Sequence, residues 1–226
     1  MKKRMTAMLL AIICLLLTLP AQAEFAVGDL VLFGVYEQDN DPATAPEPIE
    51  WQVLAVEDGK ALLISRYSLD SRQFNSEWTV CTWAECSLRT WLNGEFLQMA
   101  FTAEEQAALL DTLVSTPANM SYKTSGGPDV TDKLFILSVE EARQYLKSGP
   151  ARKAQATPWA VEEQIFVKQT GANAGNSPWW LRSMGQGSNS AVYVKEDGNI
   201  LFKGIDVDYY SNGVRPVMWV SLDALK

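Results

Sequence analysis

Apolar residues enter this chain in three rhythms, and each marks a different kind of segment. The first is an unbroken run from Ala7 to Leu17, shorter than the ~18 residues expected of a membrane-spanning helix. The second is the period of two. Asp29 to Tyr36 is rich in β-branched and aromatic residues, a strand signal. A polar loop follows, with Gln38, Asp39, Asn40 and Asp41 ahead of Pro42, Pro46 and Pro48. Then Ile49, Trp51, Val53 and Ala55 fall on one face, with Glu50 and Gln52 on the other, which predicts a half-buried strand. Asp58-Gly59 separates this strand from Ala61 to Ser65, a hairpin signal.

In the middle of the chain the period lengthens to that of a helix. Thr82-Trp83-Ala84-Glu85 reads as a capping box opening a helix through Leu88, Trp91 and Leu92. Glu85 and Arg89 stand in the favourable i, i+4 order, and Asn93-Gly94 reads as the stop. Thr102 with Glu105 opens a second helix through Leu109 and Leu110, and Ser138 with Glu141 a third through Tyr145 and Leu146. Lys133 to Leu137 reads as a short buried strand. Thr116–Val130 and Lys147–Pro158 are long polar connections, either ligand-facing or mobile.

The last third returns to β structure. Ser190 to Val194 and Ile200 to Lys203 flank Asp197-Gly198, a second hairpin, and Asn212-Gly213 before Val214 to Val220 predicts a third turn. Pro216 makes that last run an edge strand or a bulge. The expected class is α+β: antiparallel hairpins with two to three helices in the middle of the chain, in a single domain over residues 24–226.

Composition places the chain. Lys2, Lys3 and Arg4, the apolar run and Ala21-Gln22-Ala23 are the parts of a secretory signal peptide over residues 1–23. The expected product is secreted, extracellular or in the cell envelope, with no stable membrane insertion after cleavage. Removing those three cations takes the formal charge from −8 to −11, which disfavours nucleic acid as a partner. The sequence has no histidine, so imidazole bases, His-based triads and ordinary zinc or copper sites are excluded. Cys81 and Cys86 remain after cleavage. In an oxidising compartment they either close a small disulfide loop or stay as buried thiols.

The segments GDLVLFGVYEQDND, PIEWQVLAVEDGKALLISRYSLDS, CSLRTWLNGEF, TDKLFILSVEEA, PWWLRS and GVRPVMW resemble one bacterial family, domain-of-unknown-function family 6273, found in exported or surface proteins. More distantly, Pro178 to Ser183, the hairpin after it and the Gly213-Val214-Arg215 strand resemble the end of C-type-lectin-like and formylglycine-generating-type folds. That resemblance implies a compact α+β domain with loop-rich upper surfaces. Calcium-dependent sugar-binding motifs of the lectins are not evident. The cysteine pair comes early here, whereas the formylglycine-generating enzymes hold copper with a late pair, so that chemistry does not carry over.

Candidate chemistry is therefore that of recognition. Eight tryptophans follow the leader; Trp51, Trp83, Trp91 and Trp219 sit at apolar periodic positions and are assigned to the core. Trp179 and Trp180 must face opposite sides of a strand, so one is core and the other faces a second layer or a ligand. Arg182 and Arg215 are forks for an acidic ligand group or else buried strand pins. Asp206, Asp208 and Asn212 are calcium candidates, as are Asp39, Asn40 and Asp41, against a plain turn role. No catalytic residue is nominated and no cofactor is expected beyond that calcium option. The expected function is a non-enzymatic binding domain for a glycan or a protein surface. Its candidate ligand residues are Trp180, Arg182, Asp208, Tyr209, Tyr210, Asn212 and Arg215. A carboxylate-dependent glycan-processing enzyme and a cell-envelope scaffold are the alternatives.

Overall fold

In a computed structural model, residues 25–225 are described. The signal peptide expected over residues 1–23 lies outside them. The architecture is α+β and mostly antiparallel. Strands β1 (Leu30–Tyr36), β2 (Glu47–Glu57) and β3 (Lys60–Ser65) follow in order, then the short β4 (Asp70–Ser71). The helical middle holds α1 (Ser87–Trp91), running through a π-turn at Leu92–Phe96 into α2 (Leu97–Ala100), and then α3 (Ala103–Ala108). Next come β5 (Thr112–Val114), β6 (Val130–Asp132), α4 (Val139–Tyr145), α5 (Gly149–Arg152), β7 (Ala154–Gln155) and α6 (Pro158–Glu162). The chain closes with β8 (Asn176–Ser177), β9 (Trp179–Met184), β10 (Ser190–Val194), β11 (Ile200–Asp206), β12 (Gly213–Val214) and β13 (Val217–Ser221). The described residues thus hold more helices than expected, the additional ones short.

Two sheets organise the strands. One has the order β1-β2-β3-β13, the other β11-β10-β9-β12-β4, and β5-β6 and β7-β8 form two small pairs. Among the described strands every pairing is antiparallel except β12 with β9, and the isolated bridge of Ser68 with Ala156 is also parallel. The chain changes sheets twice, between β3 and β4 and between β12 and β13. Arg215, at the second crossing, donates through Nε and Nη2 to the Ser65 carbonyl at the first, at 3.0 and 2.7 Å. One continuous apolar cluster packs both sheets and the helices.

Local signals with a fixed spacing hold. Asp58 and Gly59 both take positive φ, 46° and 75°, and Glu57 pairs with Lys60, the geometry of a two-residue hairpin. Both capping boxes at Thr102–Glu105 and Ser138–Glu141 form reciprocally. The alternation of β2 holds to Val53. A bulge then shifts the register, so Leu54 is buried and Ala55 is half-buried instead.

Four expectations are corrected. Thr82–Glu85 is a turn, not a capping box; α1 starts at Ser87, Glu85 is exposed, and Arg89 pairs with Asp132 at 2.7 Å. Burial of Trp83, whose indole donates to Asp132 at 2.9 Å, draws this stretch into the core. Asn93-Gly94 does not end the helix. Asn93 Nδ2 donates to the Leu134 carbonyl and its Oδ1 accepts from Lys133 and Leu134, a tertiary clamp across the helix. Lys133–Leu137 is no strand but a mostly buried stretch with a single bridge, Phe135 to Val217. Asn212-Gly213 is no turn either, since Gly213 lies inside β12 with a Cβ position only 2.5 Å from Ser68 Oγ. Pro216 sits at the sheet crossing, just before β13, the edge strand of its sheet.

Candidate functional site

The strand that carries Trp179 to Met184 is covered on both faces, and every one of its residues is buried. Trp180 is 0% exposed and packs against Phe74 and Tyr193, so it cannot stack on a ligand. Arg182 is buried too. It forms a two-pronged pair with Glu141 and donates to the carbonyls of Ile136 and Ser115, both at 2.7 Å. Arg215 is fully buried with Trp179 under its guanidinium at 4.9 Å, and burial alone lowers its pKa. Arg182 ties β9 to α4 and to the segments at Ser115 and Ile136, and Arg215 ties the two sheet crossings together, so the hydrogen-bonded polar atoms of both are turned to the fold rather than to a ligand. Asn212 is buried as well, whereas Asp206 and Tyr210 are exposed and Asp208 and Tyr209 half-buried.

Cys81 and Cys86 are buried free thiols. Cys86 Sγ donates to the Trp83 carbonyl at 3.4 Å, and burial pushes the thiols up to about 11 and about 12 respectively. Among the described residues, the group of three carboxylates close enough to share a cation is Glu37, Asp39 and Glu47, with ligand atoms within 4.8 Å. Most of its oxygens serve the loop: Asp39 accepts from Asp41 and Thr44, and Glu47 Oε2 from Gln38 and Asp39, while Glu47 Oε1 is buried with no hydrogen-bond donor among the described residues. Of the acidic loop residues expected to be calcium candidates, only Asp39 belongs to that group.

The structure gathers a different set of residues. β4 is the edge of its sheet, and the segment leaving it, Ser71 to Ser76, runs past the N-terminal half of the helix from α1 into the π-turn. Between them lies a cleft of about 1010 Å³. The guanidinium of Arg72 lies 4.1 Å over the ring of Trp91. Its Nε reaches Asp70 Oδ2 at 3.4 Å, and the same oxygen accepts from the Tyr36 hydroxyl at 2.6 Å. Asp70 is wholly buried, and that burial raises its carboxyl pKa, with Arg72 opposing the rise. Burial and the adjacent Asp70 likewise raise the Tyr36 phenol.

The rest of the cleft is tied down by short polar links. Ser71 Oγ donates to the Tyr210 carbonyl and Gln73 Nε2 to the Asp208 carbonyl, both at 2.7 Å. Asn75 Oδ1 accepts from Ser87 N, while Ser87 Oγ accepts from Ser76 N, so the segment is fastened to the start of α1. Trp180 serves from behind, its indole donating to the Arg72 carbonyl at 2.7 Å. Gly94 and Glu95 of the π-turn line the cleft, and such turns concentrate at functional sites. Tyr210, 58% exposed and stacked on Tyr209, stands on the opposite lining.

The sequence reading reached Tyr209, Tyr210 and Asp208 but missed Arg72 and Trp91. A usable signal existed. Asp70 and Arg72 stand two apart in an extended segment and so share a face. Trp91 was assigned to the core on its periodicity, and at 8% exposure most of it is core.

Residues 58–222 match the family described as Domain of unknown function (DUF6273). No curated protein and no solved structure matches the chain, so the lectin-like resemblance gains no structural neighbour. β1 and β2 precede the matched span, although they pair into the same sheet as β3. Arg72, Trp91 and Tyr210 all lie within it. On a match over more than half its length, the chain belongs to the DUF6273 family.

Proposed function

We propose that this protein is an exported, non-enzymatic recognition domain that binds a neutral, hydroxyl-rich ligand, a glycan, in the cleft of Arg72, Trp91 and Tyr210. The observation that carries this reading is Trp91. It lines the cleft, it is 8% exposed, and its indole N–H is buried with no acceptor among the described residues. A buried unmatched donor costs about 1–3 kcal/mol, and a ligand acceptor that gains access to this closed N–H on binding would recover that cost. Arg72 already has Asp70 as counter-charge, and Glu85, Glu95 and Glu163 also line the cleft, which disfavours an anion. Aromatic faces beside amide and hydroxyl groups (Ser71, Gln73, Asn75) suit stacking and directed hydrogen bonds.

Export rests on the basic start, apolar run and Ala21-Gln22-Ala23 of the leader. A lectin-like arrangement is part of the same proposal, supported by β9, the β10–β11 hairpin and the return through β12. The test is isothermal titration with neutral chito-, cello- and malto-oligosaccharides. Binding without turnover is expected, weakened at least tenfold (about 1.4 kcal/mol) by Tyr210→Ala with little change in melting temperature, and by Arg72→Gln with a lowered melting temperature because buried Asp70 loses its counter-charge. Full-strength binding by both variants, or no binding to any of the sugars, overturns the assignment.

A further inference from the structure

A second concavity, of about 820 Å³, lies against α4, α5 and the turn between β10 and β11. Arg143, Lys147 and Arg152 line it with Ser121, Asn199 and Phe202, and no carboxylate does. None of these three cations belongs to an ion pair among the described residues. Cations near the end of a helix are favoured by its dipole, which accounts for Arg143 in the last turn of α4 and Lys147 just beyond it. It does not account for Arg152, which comes from α5.

Arg152 is set in place by backbone. Its Nε donates to the Gly198 carbonyl at 2.8 Å and its Nη1 to the Leu146 carbonyl at 2.7 Å. Burial, and then the charge of Arg143, lower its pKa. The fit behind it is tight, since a Cβ on Gly198 (φ +83°) would fall 1.9 Å from the Gly149 carbonyl oxygen. This approach holds α5 against the β10–β11 turn and so brings Arg152 and Asn199 to one pocket. Of the two acids of that turn, Asp197 is occupied by Lys195 Nζ at 3.2 Å and Asn199 Nδ2 at 3.1 Å, and Glu196 does not line the pocket. Three unmatched cations thus converge in a chain whose formal charge is −8.

We propose that this pocket binds a phosphate- or sulfate-type oxyanion. Arg143, Lys147 and Arg152 supply the charge, Ser121 and Asn199 supply hydrogen bonds, and Phe202 rests against the apolar part of a carrier molecule. The site is separate from the glycan cleft and stands or falls without it. The test is titration of the purified protein in Hepes with inorganic phosphate, glucose 1-phosphate and glucose. Phosphate and the sugar phosphate are expected to bind, with affinity falling as salt rises, and glucose alone is not expected to compete for the pocket. Tighter binding of the ester assigns a carried phosphoryl group, and equal binding assigns the free oxyanion; both support the site. Because Arg152 also serves the fold, the variant is Arg143→Gln with Lys147→Gln, both exposed; it should weaken phosphate about tenfold or more with an unchanged melting curve. No saturable phosphate binding by the native protein, or unaltered binding by the double variant, overturns the proposal. Tyr210→Ala serves as the control that separates the two sites, and should leave phosphate binding intact.

Discussion

At the scale of single residues, the polar groups that matter most are buried and act in pairs. Glu141 caps α4 through the Ser138 amide and is also the counter-ion of Arg182, which is 1% exposed. Glu141→Gln separates these tasks, because glutamine can still complete a capping box but carries no charge. The expected cost is about 3 kcal/mol in urea denaturation, and adding Arg182→Met should recover much of it, since the loss comes from a stranded charge rather than a lost contact. No recovery in the double variant would show that the hydrogen bonds of Arg182 to Ser115 and Ile136 carry the stability instead. The same scale explains why Trp180 and Arg182 misled the sequence reading. An arginine or tryptophan in an apolar strand looks alike whether it faces a ligand or a second layer. Only the covering of both faces of β9 decides, and that depends on residues distant in sequence.

At the scale of elements, what was legible is what a spacing of two to four residues encodes. Asp58-Gly59 gave its hairpin and the Thr102 and Ser138 boxes gave their helices, because the partners of each hydrogen bond lie three residues apart. Asn93-Gly94 and Asn212-Gly213 failed for one reason: the asparagine or glycine answers a tertiary demand. Asn93 clamps the chain at Leu134, and Gly213 leaves room for Ser68. Gly94 is informative in a different way. It sits in a helical stretch, its Cβ position has nothing within 4 Å, and it lines the cleft. Gly94→Ala should therefore stabilise the protein by about 0.5–1 kcal/mol in thermal or urea unfolding. A loss of stability would show that the π-turn requires glycine for its backbone. A gain would mean that the native chain keeps a less stable residue where the cleft needs space.

At the scale of the whole molecule, two sheets are joined by paired crossings, and two large concave surfaces, the Trp91 cleft and the Arg152 pocket, have opposite character. One holds a matched Arg72–Asp70 pair, aromatic rings and acids; the other holds cations without counter-ions. Their separation could not be read from composition, because the net charge averages over both. The central claim is that the Trp91 cleft, and not the strand of Trp180, meets the ligand. The most direct measurement is nitrogen–proton NMR of the eight indole groups during titration with a bound neutral oligosaccharide. The account predicts that the Trp91 indole resonance shifts most, while those of Trp179 and Trp180 move little. Saturable binding that leaves Trp91 unmoved would contradict it.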